Sequence, residues 1–576
     1  MNNATRHPSD TPVNPSTLSE GFAARAQKDS LPTLAPFYYL RNFELVLASI
    51  LARYADLLLE EELRFISEFP RFDLASRALL TRLVMRRGDL FRASKIKYEE
   101  IGEIRAAAAP LIKKGWLSDH PKLQLDELAS LLTKTELIRC LRLPARYLSW
   151  CKAKLEVVLK AQFRESRYFE EWYPCGDWVY APTVGPLCER FKLMFFGNDR
   201  QGWTEFVTAD LGIFNYEKVE RSAYSRPFQS RAQIEMFLKI QECRELLREG
   251  MPLDELTPLV PPAILNSEWL EERRQKLLFL IARGYERAGE GANALAMYLE
   301  CCYRGARSRA IRLKAKAQDW NGARALCFLA KEKPESEAEL QQVRRVLPRI
   351  HRKLKRAYRA EAVAPAIEEF EIVLDRAPRL GAVEHHVRDY LARDLADGST
   401  VRYVENGLIN GLFGLLCWPA VFAPVPGAFF HDFHHGPVDL ESCHFHRRRK
   451  EEFDECLSQL DSGGYAKVIW KCFKDKWGVQ SPFVHWHLLD RATLGWALAC
   501  FPAAHLRAWF EWILRDVKEN RAGFPDLVQF FPKERTYRMI EVKGPGDRVQ
   551  DNQRRLLEYC LSHGMPVSVC WVRTGS

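Results

Sequence analysis

From Gly523 to Arg573 the chain reads GFPDLVQFFPKERTYRMIEVKGPGDRVQDNQRRLLEYCLSHGMPVSVCWVR, and this stretch constrains the fold most. DLVQFF and YRMIEVK are strand-forming runs separated by turn residues from Pro532 to Arg535, so they predict a hairpin. Helical spacing follows from about Asp547 to His563 and stops at Gly564, and PVSVCWV predicts a closing strand. Side chains alternate across a strand, so Glu541 and Lys543 share one side and Val542 takes the other. If the hairpin pairs, Asp526 reaches the same region from the neighbouring strand. Two carboxylates and an ammonium on one sheet edge make a hard-cation site with a charged stabiliser beside it. Phosphodiester hydrolysis needs that combination. A divalent ion polarises the phosphoryl oxygen and lowers the pKa of the attacking water, while lysine orients that water or stabilises the transition state. The Val542 carbonyl is a candidate to complete the oxygen shell. Gln553 falls on the inward face of the helix, between Val549 and Leu556. A polar group there needs a partner, and a metal-bound water or a DNA phosphate would serve.

A chain of 576 residues is too long for one hydrophobic core, which implies three or four domains. The net charge of +10 suits a polyanionic partner, although solubility alone accounts for it equally well. The 15 cysteines are scattered, only Cys301 and Cys302 adjoining, with no secretory signal, which predicts reduced, mostly buried thiols in a cytoplasmic protein. No run of eighteen apolar residues occurs, so no membrane span is expected.

The expected organisation is mainly α with a C-terminal α/β domain. Residues 1–34 read as a disordered tail and 35–73 as helices. A basic module over 74–145 carries Arg86, Arg87, Lys95, Lys97, Lys113 and Lys114. It ends in two short amphipathic helices divided near Thr133, the second with Thr135 as its candidate cap. Such a face suits docking on phosphates through counterion release, or is simply the solvated side of a helical domain. Residues 146–267 are rich in aromatics, and Arg221, Arg226 and Arg231 are either a phosphate cradle or ordinary surface arginines. From 268 to 382 the pattern is helix-turn-helix, with Ala282, Gly284, Tyr285, Ala294 and Tyr298 at small-residue and aromatic positions and a degenerate copy at Ala323 and Cys327. Residues 383–576 form the catalytic domain. Within it, His431, His434, His435, Cys443, His444 and His446 are crowded, but their spacing matches no zinc motif, and the segment reads as a polar loop beside a DNA channel.

Four resemblances rest on these residues. Residues 74–145 resemble a SAP DNA-binding module, and residues 268–382 resemble tetratricopeptide units. Pro525-Asp526 with Glu541-Val542-Lys543 match the P-D…(D/E)-x-K pattern of restriction-endonuclease-like nucleases, and EVKGPGDRVQDNQRRLL resembles the VRR-NUC domain. In this order they resemble the Fanconi-anaemia-associated nuclease family in a compact, bacterial-looking form. That resemblance implies a structure-selective DNA nuclease using Mg²⁺ or Mn²⁺, with 5′-flap endonuclease and 5′-to-3′ exonuclease activity, linked to interstrand crosslink repair. DNA is the implied partner, and protein partners stay unassigned. It gives Asp526, Glu541 and Lys543 the catalytic roles and the Val542 carbonyl to the metal. The upstream glutamate of the family corresponds best to Glu405, which would open an apolar helix running to about Trp418; the other reading is a carboxylate favoured by the helix dipole. Competing functions are a Holliday-junction-type resolvase, an RNA nuclease and a non-catalytic DNA-binding adaptor. The intact Asp526, Glu541 and Lys543 argue against the last.

Overall fold

The computed structural model describes residues 35–221, 225–264, 266–359, 366–374, 383–393, 395 and 398–574; the expected tail at 1–34 lies outside them. The chain forms two units, one from residues up to Ser49 with Glu61–Phe191 and Arg200–Phe214, the other from Ile50–Glu60, Lys192–Asp199 and Asn215 onward.

Within the first unit, α1 (Leu74–Met85) begins at Asp73, whose carboxylate accepts from Ser76 N at 2.8 Å. Helix α2 (Ile104–Lys114) stops at Gly115, which takes φ +78° to let the backbone turn out of the helix. The two short amphipathic helices are α3 (Leu125–Leu131) and α4 (Lys134–Cys140). Thr133, not Thr135, caps α4, because Thr133 is the last extended residue before the helix and Thr135 already lies inside it. Glu136 closes the capping box by accepting from Thr133 N at 2.8 Å.

The second unit opens its helical array with α5 (Glu268–Ala288), α6 (Gly291–Glu300), α7 (Ala306–Lys316), α8 (Trp320–Glu332) and α9 (Glu337–Lys353), each packed on the next. Ala282, Tyr285, Ala294, Tyr298, Ala323 and Cys327 are all buried along these seams. Gly284 serves a different neighbour: a Cβ there would stand 3.0 Å from Leu253.

The helical pattern ends before residue 382. Residues Glu368–Leu374 are strand β1, in which Ile372 and Leu374 are buried and the glutamates face out, a period of two. Helix α10 (Val383–Leu391) and β2 (Thr400–Tyr403) follow. After a long helical insertion come β3 (Leu527–Phe531), β4 (Thr536–Lys543), α11 (Asp551–Ser562) and β5 (Val567–Thr574). The sheet runs β1-β5-β4-β3-β2. β5 is parallel to β1 and β4, whereas β3 is antiparallel to both β4 and β2. Both faces are covered. Val528, Phe530, Met539, Val567 and Val569 pack with Leu556 and Leu557 of α11, while Ile540, Val542, Cys570 and Val572 pack with Val387 of α10.

Two further expectations differ from the structure. The apolar helix after β2 is α12 (Gly407–Leu416), and Glu405 precedes it rather than opening it. Residues 431–446 are irregular backbone as expected, with His435 and Cys443 exposed, but not polar throughout, since His431 and His434 are 4% and 8% exposed and their rings stack at 3.9 Å. His434 Nε2 accepts from Phe430 N, and Arg449 is fully buried against Asp439. Aromatic and arginine partners make those polar groups internal.

Candidate active site

The hairpin register places Leu527 opposite Ile540, so Asp526 follows on one strand where Glu541 follows on the other. Asp526 Oδ2 accepts from Val542 N at 2.8 Å. A strand residue's N–H and C=O point to the same edge, so the Val542 carbonyl also faces the Asp526 side, where β3 has ended. Glu541 is fully buried and Lys543 is 7% exposed; Lys543 Nζ donates to Glu541 Oε1 at 2.6 Å. Gln553 Nε2 donates to the same oxygen at 2.6 Å while its Oε1 accepts from Gln550 N. The partner of the inward glutamine is therefore Glu541 itself. Its place in the first turn of α11 follows from the helix starting at Asp551, later than the sequence pattern implied.

Glu405 arrives from β2. Val404 N and Glu405 N both donate to the Asp526 carbonyl, at 2.9 and 3.0 Å. Glu405 takes φ +33°, a left-handed backbone unusual for a side-chain-bearing residue, and those two bonds hold it there. Tyr403 donates its hydroxyl to Glu405 Oε2. Asn406 Oδ1 accepts from Gly523 N and Phe524 N, at 2.8 and 3.0 Å, tying the turn after β2 to the approach of Asp526.

Burial and mutual repulsion make ionisation of this cluster costly. Burial pushes Asp526 up to about 6, against its bond from Val542 and the charge of Lys543. Burial, with repulsion from Asp526, pushes Glu541 up to about 8 although Lys543 touches it. Among the described residues no three His, Cys, Asp or Glu groups are already closed on one ion position. The donor chemistry nevertheless fits a hard divalent cation: Glu541 Oε2 is buried with no hydrogen-bond partner, and the surrounding donors are carboxylate and carbonyl oxygens.

The cationic residues singled out in the sequence fall into separate places. Arg86, Lys95 and Lys97 line one cleft of about 460 Å³ with Tyr38, Tyr39, Arg82 and Tyr98. Arg87 and Lys113 are exposed, and Lys114 pairs with Glu68 at 2.7 Å. Arg221, Arg226 and Arg231 each meet an acidic neighbour, namely Asp432, Asp56 and Glu235. Sequence reasoning missed Tyr403 and Asn406. Asn406 directly follows Glu405, but nothing in the sequence revealed that β2 pairs with β3.

Residues 37–118 match the family described as FAN1, HTH domain, residues 122–172 the Fanconi anemia-associated nuclease SAP domain, and residues 461–574 the VRR-NUC domain. The basic segment 74–145 thus spans the end of one domain and the start of the next. VRR-NUC nucleases as a family depend on divalent metal. A Fanconi-associated nuclease 1 homolog of Pseudomonas aeruginosa is 48% identical over 557 residues, covering 96% of this chain and 99% of that one. The homolog from rice, Oryza sativa, is 24% identical over 97% of this chain and 65% of its own length. A crystal structure of paFAN1 bound to 2-nt 5′-flap DNA with a gap superposes with TM-score 0.89 at 47% identity, covering 95% of this chain and all of that one. The 1-nt flap complex gives 0.87. The chain belongs to the Fanconi-associated nuclease family and is a DNA-hydrolysing enzyme.

Proposed function

We propose that Glu405, Asp526, Glu541 and Lys543 are the hydrolytic centre, that it works with Mg²⁺ or Mn²⁺, and that its substrate is 5′-flap or related branched DNA. The activities are 5′-flap endonuclease and 5′-to-3′ exonuclease, in the repair of interstrand crosslinks, in the cytoplasm at the nucleoid. The observation that carries the centre is the orphan oxygen of Glu541, a buried acceptor beside a second raised carboxylate. The flap preference is supported by the near-complete likeness to a paFAN1 chain holding that DNA.

The three carboxylates and the Val542 carbonyl would hold the cation. When bound, it polarises the phosphoryl oxygen and lowers the pKa of the attacking water. Lys543 keeps a positive charge at hydrogen-bond distance from Glu541 and offers it to the water or the phosphoryl group. Gln553 fixes the Glu541 rotamer from α11, leaving Oε2 for the metal. Arg86, Arg87, Lys95, Lys97 and Lys113 supply phosphate contacts that set affinity and carry no sequence information.

End-labelled 5′-flap, 3′-flap, four-way junction and RNA substrates, each with Mg²⁺ and with Mn²⁺, test this reading. The expected result is incision of the 5′ flap that Asp526→Ala or Glu541→Ala abolishes while DNA binding persists. Preferential cutting of junctions or RNA would replace the substrate, and near-normal turnover by either variant would remove the centre.

A further inference from the structure

The first turn of α10 reaches the same centre from the opposite face of the sheet, over the strand ends. Val383 stands 3.6 Å from where a Cβ on Gly544 would lie, and Gly544 directly follows Lys543. The His385 ring lies 4.8 Å from the ring of Tyr403, whose hydroxyl is bonded to Glu405. Glu384 sits between these two anchors, half-buried. Its negative charge acts on both Asp526 and Tyr403, adding to the repulsion there. Helix α10 itself is held by Val387, buried against Val542 and its neighbours, so the approach of Glu384 is set by packing rather than by a loop.

Resting on the reading of the centre given above, we propose that Glu384 is a fourth carboxylate of the cation site, acting on the divalent ion from the α10 side. The orphan Glu541 Oε2 points to a cation at this cluster independently of Glu384. Four carboxylates face one ammonium, so a single divalent ion leaves the centre still negative before a phosphate arrives. Glu384 therefore raises cation affinity, and a cation is needed before the anionic substrate is admitted.

The test is Mn²⁺ binding to the full chain without DNA, followed by the electron paramagnetic resonance of free Mn²⁺, for the parent, Glu384→Gln, Glu384→Asp and Asp389→Asn. Asp389 is exposed on the same helix and pairs with Arg388, so Asp389→Asn reproduces the charge change away from the centre. Glu384→Gln should weaken Mn²⁺ binding on the order of tenfold, as loss of a supporting group at a metal site does. Glu384→Asp should recover part of it, Asp389→Asn should bind like the parent, and excess Mn²⁺ should restore flap cleavage to Glu384→Gln. Equal Mn²⁺ affinity in Glu384→Gln and Asp389→Asn overturns the proposal. If Asp526→Ala also retains parent Mn²⁺ affinity and cleavage, the centre itself is misassigned; if Asp526→Ala is dead and only Glu384→Gln is parent-like, this inference alone fails.

Discussion

Glu405 and Lys543 touch the same cluster but supply opposite charges, so their losses separate experimentally. Glu405→Gln removes a negative donor and should weaken metal affinity, which raised Mn²⁺ partly restores because that ion accepts carboxylate, carbonyl and water oxygens. Lys543→Ala removes a placed positive charge, which typically costs a hundredfold or more in rate, and saturating metal does not replace it. Single-turnover cleavage across a Mn²⁺ titration distinguishes the two. Rescue of Lys543→Ala together with indifference of Glu405→Gln would reverse the roles. Glu541 and Lys543 were readable as a same-side pair from alternation alone. The contact of Gln553 with Glu541 was not, because it depends on where α11 begins above the sheet.

At the scale of elements, Asp526 is positioned by a turn that tolerates little. Gly523 takes φ +95°, and a Cβ there would stand 3.2 Å from the Asn552 backbone at the start of α11. Gly523→Ala should therefore destabilise the protein by roughly 1–3 kcal/mol, the usual range for a strained backbone position. It should also lower cleavage by shifting Pro525 and Asp526; chemical denaturation together with single-turnover rates checks both, and a parent-like variant would show that the turn relaxes freely. The cationic face near α1 has a different signature. Reversing Arg86, Lys95 and Lys97 together should weaken binding to every DNA alike and flatten its salt dependence by about one unit of slope per lost phosphate contact. An unchanged slope in binding titrations would leave that cleft merely solvated. Strand β1 eluded the sequence reading because the helical pattern is extended over it to residue 382. Strand β2 eluded it because its partner β3 lies beyond the whole insertion.

For the molecule as a whole, buried ionisable groups set opposing pH dependences. Asp526 and Glu541 are raised from 3.8 and 4.5 to about 6 and about 8, so the stability they allow is full below their unfolded values and is lost as pH rises through those windows. His431 and His434 are depressed by burial, His434 to about 3, so their stability is present above 6.5 and is lost as pH falls below it. The two slopes offset each other between 4.5 and 6.5. From 6.5 to 8 Glu541 acts without that offset, and the metal-free protein should lose up to about 1.4 kcal/mol per pH unit. Divalent metal should abolish that loss by holding the carboxylates ionised, and Glu541→Gln should flatten it. Thermal unfolding at several pH values, with and without Mn²⁺, reads both; a metal-free midpoint constant from 6.5 to 8 would contradict the buried, raised Glu541.

What the sequence determined by itself is local: the hairpin, the pairing of Glu541 with Lys543 across one intervening residue, the helix and strand that follow, and the order of the domains. These depend on periodicity and on motifs a few residues long. The tertiary structure decided which distant groups join them. Glu405 meets Asp526 only because β2 pairs with β3 across the insertion, and its left-handed backbone is held by bonds to the Asp526 carbonyl. Glu384 reaches the cluster only because α10 packs on the opposite sheet face. The histidines of residues 431–434 are internal only because aromatic neighbours enclose them. Long-range pairing and burial are properties of packing between distant segments, and no local pattern encodes them.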